Sequence, residues 1–200
     1  TSTYGDPDPK NPAINTAFGT SPDIRVDAPD SDGKYQFGDR EELGFANFIG
    51  HLTDNSAEVP VHRLPITSHV YVLVHNRGRE QADGVTVVLL VSSAYAGDTP
   101  PQLPENYRLS LLADGRIEND DWQTVGRVSM DDVRCANPRT ARFNLPSDML
   151  ASGDNLEDGK KHALVAFIFH ERDRLVGDER TVTTLSNSDR HVAVRSLITS

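Results

Sequence analysis

Seven histidines are the first side chains to test for chemistry. His69, Tyr71 and His75 have even spacing within Thr67–Asn76, so an extended chain places them on one face. His162 and His170 flank the apolar run Ala163–Phe169 with the same parity, and His191 lies in the last alternating segment. Imidazoles gathered by a sheet can bind zinc. No His-x-His, His-x-x-x-His or His-Glu-x-x-His spacing is present, so these histidines read as polar-face groups that titrate near neutral pH. Carboxylates come next. In Asp27-Ala28-Pro29-Asp30-Ser31-Asp32-Gly33, the residues Asp30, Asp32 and Gly33 take positions 3, 5 and 6 of a helix–loop–helix calcium loop, with Asp39 at position 12. Ala28 then occupies position 1, where a carboxylate belongs, and Asp39 is shorter than the usual Glu. Asp27, Asp30, Asp32 and Asp39 are therefore the calcium candidates, and no other cofactor is expected. Glu118–Asp121 and Asp154–Asp158 read as solvated acidic tips.

Nucleophilic catalysis finds no local signature. There is no Gly-x-Ser-x-Gly elbow, no Gly-x-x-x-x-Gly-Lys loop and no Gly-x-Gly-x-x-Gly turn. The lone Cys135 has no base beside it in Asp131–Ala136 and is expected to be a small, partly buried side chain. Trp122 reads as a core or rim aromatic. No catalytic residue is assigned, and the chain is expected not to be an enzyme.

The elements that would carry these residues are strands. Asp23–Asp27 alternates polar and apolar. Thr67–Asn76 sets Val70, Val72 and Val74 against His69, Tyr71, Leu73 and His75, and Asn76-Arg77-Gly78 closes it with a turn. Val85–Ser93, after the Asp83-Gly84 turn, is apolar enough to be buried on both faces. Trp122–Val128, Arg139–Leu145, Lys161–Arg172 and Arg190–Ile198 complete the set. Asp39–Gly50 fits either a helical turn through Leu43, Phe45, Phe48 and Ile49 or an irregular loop, and no strong helix is expected. The fold class is all-β: an immunoglobulin-like antiparallel sandwich of about seven strands, a small barrel being the alternative with the same pattern. Residues 1–22, with Pro7, Pro9, Pro12 and Pro22, form an extended arm with no core of its own. Residues 23–200 form one domain with polar insertions at 28–66 and 94–121.

Composition narrows the partners. The 200 residues carry 30 acidic and 20 basic side chains, a net charge of -10. A surface of that sign repels phosphate backbones and anionic lipid, so neither nucleic acid nor a bare membrane is an expected partner. No apolar run approaches the roughly 18 residues of a membrane span. One cysteine excludes an internal disulfide.

Taken in order, Ser21-Pro22-Asp23-Ile24, then Val70-Tyr71-Val72-Leu73-Val74-His75-Asn76-Arg77-Gly78, Gly84–Leu89, Trp122, His162–Phe169 and Asn187–Arg195 resemble the CARDB-like (bacterial cell-adhesion-related) immunoglobulin-like modules. The resemblance covers residues 21–27, 67–92 and 120–198. The long insertions and the arm depart from it. It implies an immunoglobulin-like fold and a binding or spacer role, and it transfers no catalytic residues. The expected partner is protein, either a second copy or neighbouring subunits of a bacterial or phage-like assembly, with an oligomer as the working state. An extracellular or particle-associated location is favoured over the cytoplasm. The alternative is an accessory domain of a secreted hydrolase such as a metalloprotease, or a small hydrolase in which His162 and His170 converge in a cleft.

Overall fold

The computed structural model describes residues 21, 23–30, 32–50, 59–61, 67–76, 78–113, 116–150, 160–173, 175 and 178–199. The described residues form strands β1 (Ile24–Asp27), β2 (Val59–Val61), β3 (Ser68–Val74), β4 (Val85–Ser92), β5 (Trp122–Met130), β6 (Arg139–Leu145), β7 (Lys161–Phe169) and β8 (Val192–Thr199). Three short helices join them: α1 (Phe45–Gly50), α2 (Tyr107–Ala113) and α3 (Val182–Ser188). The strands make two sheets, one ordered β1-β3-β6 and the other β2-β8-β7-β4-β5. Every pairing is antiparallel except β2 with β8, which is parallel. The fold is therefore an all-β sandwich, one of the two architectures that the alternating sequence pattern allows. The arm at 1–20, and Pro22, lie outside the described residues; Ser21 is held to the body, its amide donating to the Val194 carbonyl at 3.1 Å.

Period two explains the core between the sheets. Val70, Val72 and Val74 on β3 point inward with Ala141, Phe143 and Leu145 on β6, and they meet Val85, Val87, Leu89 and Val91 on β4 and Leu164 and Ala166 on β7. The intervening β4 residues Val88 and Leu90 point the other way, into a second apolar cluster with Val165 and Phe167. All eight residues of β4 are buried. Each large aliphatic side chain so placed contributes roughly 1.5–3 kcal/mol of burial.

The two insertions are not polar appendages. Residues 94–121 include α2, whose Tyr107 and Leu111 join Tyr95, Leu103, Ile117 and Trp122 over the outer face of the five-stranded sheet. The segment before β8 adds Val182 and Leu185 of α3. On the opposite side of the molecule, Phe37, Leu43 and Phe48 cover Tyr71 and Leu73 on the outer face of the three-stranded sheet. Apolar residues scattered among charges fill these layers, so no period betrayed them. Buried polar bonds fix each cover in place. The Leu43 amide donates to Thr140 Oγ1 at 2.8 Å and the same hydroxyl donates to the Leu43 carbonyl at 3.1 Å. Trp122 Nε1 donates to the Gln102 carbonyl at 3.1 Å. Helices α2 and α3 and strand β2 have no counterpart among the expected elements; each is short, and propensity alone does not reveal pieces stabilised by packing. Cys135 is exposed rather than partly buried.

Candidate functional site

The calcium candidates have other work. Both carboxylate oxygens of Asp27 accept backbone amides, from Gln36 and Phe37, each at 2.8 Å. Asp30 Oδ1 accepts the amides of Asp32 and Lys34, each at 2.9 Å, which is an Asx turn closed by Gly33 at φ +76°. Asp32 lies 4.0 Å from the Lys34 ammonium, and Asp39 4.0 Å from the Arg142 guanidinium. Among the described residues no three His, Cys, Asp or Glu side chains stand together as a metal site. Asp27 and Asp30 help to build the turns that lay Phe37 and Leu43 over the sheet.

The histidines also separate. His69 stacks on Tyr35 with ring centroids 3.8 Å apart, and its Nε2 lies 3.0 Å from Arg142 Nη2. A guanidinium only donates, so Nε2 accepts and the ring is neutral. Burial first, and then the Arg142 charge, hold His69 below the ordinary histidine range. His162 is fully buried at one end of β7, with Nδ1 2.8 Å from the Ser92 carbonyl. Burial lowers its pKa, and the bond to Ser92 opposes that shift. His162 and His170 do share a parity, but eight residues of extended chain separate them by about 26 Å. They cannot converge on one substrate.

Chemistry gathers where β3, β7 and β8 reach the same end of the sandwich. A cleft of about 640 Å³ opens there, with Val85, Val133 and Ile168 on its apolar side and His75, Arg79, His170, Arg172, Arg190 and His191 among its polar lining. His191 is its most constrained group. Its Nδ1 lies 2.7 Å from Asp189 Oδ1, which also accepts the His191 amide at 2.9 Å. Its Nε2 lies 3.2 Å from Asp173 Oδ2, an ion-pair contact rather than an aligned hydrogen bond. Arg190 Nη2 closes the chain on the two Asp173 oxygens at 2.6 and 2.7 Å. The Asp189 hydrogen bond raises the His191 pKa, burial opposes it, and Asp173 adds to the rise. Burial alone pushes the Asp173 carboxyl up, but the bonds from Arg190 and His191 outweigh it and hold it below the ordinary range. Asp189, His191, Asp173 and Arg190 thus form one network, in which two carboxylates face a histidine and an arginine.

On the other rim, Asn76 gathers three hydrogen bonds. Asn76 Oδ1 accepts the Gly78 amide at 2.7 Å, while its Nδ2 donates to the carbonyls of Glu80 and Val133 at 2.7 and 2.8 Å. A Cβ at Gly78 would sit 3.0 Å from that Asn76 oxygen. The Asn-x-Gly of the sequence therefore does more than turn the chain. It pins Arg79 and Glu80 at the mouth of the cleft and ties the β3–β4 loop to the β5–β6 connection. The sequence marks Asn76 and Gly78 as a turn; Asp189 and Arg190 precede His191 in its own turn, and only the fold brings Asp173 from a separate turn to them.

Compared with protein-family models, curated proteins and solved structures, the chain matches none.

Proposed function

We propose that the protein is a non-enzymatic interaction module, a subunit or appended domain of a larger bacterial or phage-like assembly that contacts its neighbours through the arm and the loops at the ends of the sandwich. The observation that carries this reading is the state of His191. Both of its ring nitrogens face carboxylates and the Asp189 bond raises its pKa, which favours the protonated ring and leaves neither nitrogen open to take a proton from a nucleophile. Arg190 holds the second carboxylate in turn. Such a closed network shapes a surface rather than turning over a substrate.

The strand order supports an immunoglobulin-like, CARDB-like relationship. Without β2, the arrangement is three strands, β1-β3-β6, facing four, β8-β7-β4-β5. Lettered in chain order these strands read A-B-E against G-F-C-C′, which is in keeping with an immunoglobulin-like sandwich. Two surface features suit contact with protein. Leu109 and Leu112 stand on the solvent face of α2, 68% and 54% exposed. Ser21, where the arm joins the body, lies along β8 with its carbonyl 3.5 Å from Arg195 Nη1.

The test is the molar mass in solution. Light scattering on the full chain should give an oligomer, and a chain beginning at Ser21 should give a smaller mass with an unchanged circular dichroism spectrum. An unchanged mass after the deletion removes the arm from the reading. A monomeric full chain favours instead the accessory domain of a secreted hydrolase.

A further inference from the structure

The charge of the cleft runs against that of the chain. The carboxylates of Asp173 and Asp189 are engaged by Arg190 and His191. Of the described lining residues this leaves one carboxylate, Glu80, against two guanidiniums, Arg79 and Arg172. Arg172 is weakly engaged: its Nη1 is 3.4 Å from Glu80 and its Nε 3.6 Å from Glu171, and all three side chains are largely exposed. Exposed pairs of that kind are worth at most about 1 kcal/mol, so a better-placed anion displaces them easily. Arg79 has no carboxylate within ion-pair distance among the described residues, and the Asn76 turn holds its backbone. Beneath the guanidiniums the wall is apolar, formed by Val85, Val133 and Ile168. The volume, about 640 Å³, far exceeds what a bare ion needs and falls in the range of clefts that take organic ligands.

We propose that this cleft is a binding site for a carboxylate carried on an apolar stem, with Arg79 and Arg172 gripping the anion and the Val85–Ile168 wall taking the stem. This rests on reading the loop end of the sandwich as a contact surface, and an acidic side chain of a partner protein flanked by apolar residues is the source that reading calls for. Guanidinium–carboxylate geometry is bidentate, so one arginine suffices for orientation and a second for strength.

Amide chemical shifts of the full chain, titrated with hexanoate, provide the test. Hexanoate should shift Gly78, Ala82 and Val133 saturably, while hexylammonium and hexanol should not. Arg79→Gln and Arg172→Gln, both at exposed positions, should keep the remaining spectrum and weaken hexanoate about tenfold each, the effect of about 1.4 kcal/mol. Glu80→Gln should tighten it by releasing Arg172. Three results would overturn the assignment: no saturable shift with hexanoate, equal binding of hexanol or hexylammonium, or undiminished binding by the double arginine variant. Inorganic phosphate saturating the same amides as tightly would remove the apolar stem from it. The mass measurement on the arm deletion does not involve the cleft, so either reading can fail while the other stands.

Discussion

His191 and His162 show how one residue type acquires opposite roles from its surroundings. The carboxylates around His191 raise its folded pKa above the unfolded value of 6.5. Its contribution to stability is therefore complete below about 6.5 and is lost as pH rises through the raised value. His162 is held below 6.5 by burial, so its contribution is present above about 6.5 and disappears as pH falls through the lowered value. His191→Phe should cost roughly 1–3 kcal/mol, as expected for losing a hydrogen bond to the buried Asp189 carboxylate, and urea midpoints should show a larger deficit at pH 5.5 than at pH 9. A deficit that grows with pH would contradict the imidazolium assignment. For His162→Asn, whose amide can replace the Nδ1–H donor to Ser92, the acid limb of the stability profile should flatten. Neither sign is legible in the sequence, where both histidines are polar residues at the edge of an apolar segment.

Among the elements, β5 and β6 carry the tightest constraint. They are edge strands of different sheets, and Gly126 of β5 lies against the Phe143 ring of β6, where an added Cβ would come within 3.2 Å of Cδ1. The β4–β5 register shifts between Leu89 and Leu90, opposite this region. Gly126→Ala gains about 0.5–1 kcal/mol of strand entropy against a few tenths of an ångström of ring movement, and should be near neutral. Gly126→Val overpacks the corner and should lose about 1–3 kcal/mol in chemical denaturation. Equal stability of the two variants would mean that the sheets do not meet there. The alternation of Trp122–Val128 marks β5 as a strand, and Arg139–Leu145 is legible to the residue. What neither segment announces is their approach across the sandwich edge, since it depends on the twist and closure of two sheets.

The whole molecule is layered around the five-stranded sheet. Residues of 28–50 cover the three-stranded sheet, the two sheets share the main core, and 94–121 with α3 close the far face. Strand β4 sits between β7 and β5 and is buried on both faces, so its opening should require unfolding of the entire domain. Hydrogen exchange should find the amides of Val87 and Val88 the slowest in the chain, and amides of β1, an edge strand of four residues, orders of magnitude faster. Comparable rates would refute the layered core.

The strands, the all-β class and the turn at Asn76–Gly78 were determined by the sequence alone, because period-two alternation and turn chemistry are local properties of the chain. The covers over the outer faces and the charge network at His191 were decided only by the tertiary structure. Leu43, Phe48, Tyr107 and Leu111 look like scattered apolar residues in polar insertions until a sheet face appears beneath them. Asp173 looks like one more acid in an acidic chain until the pairing of β7 and β8 brings it to the imidazole that Asp189 already meets two residues away. Burial and ion pairing join residues distant in sequence, and the free energy of those contacts exists only once the sheets have formed.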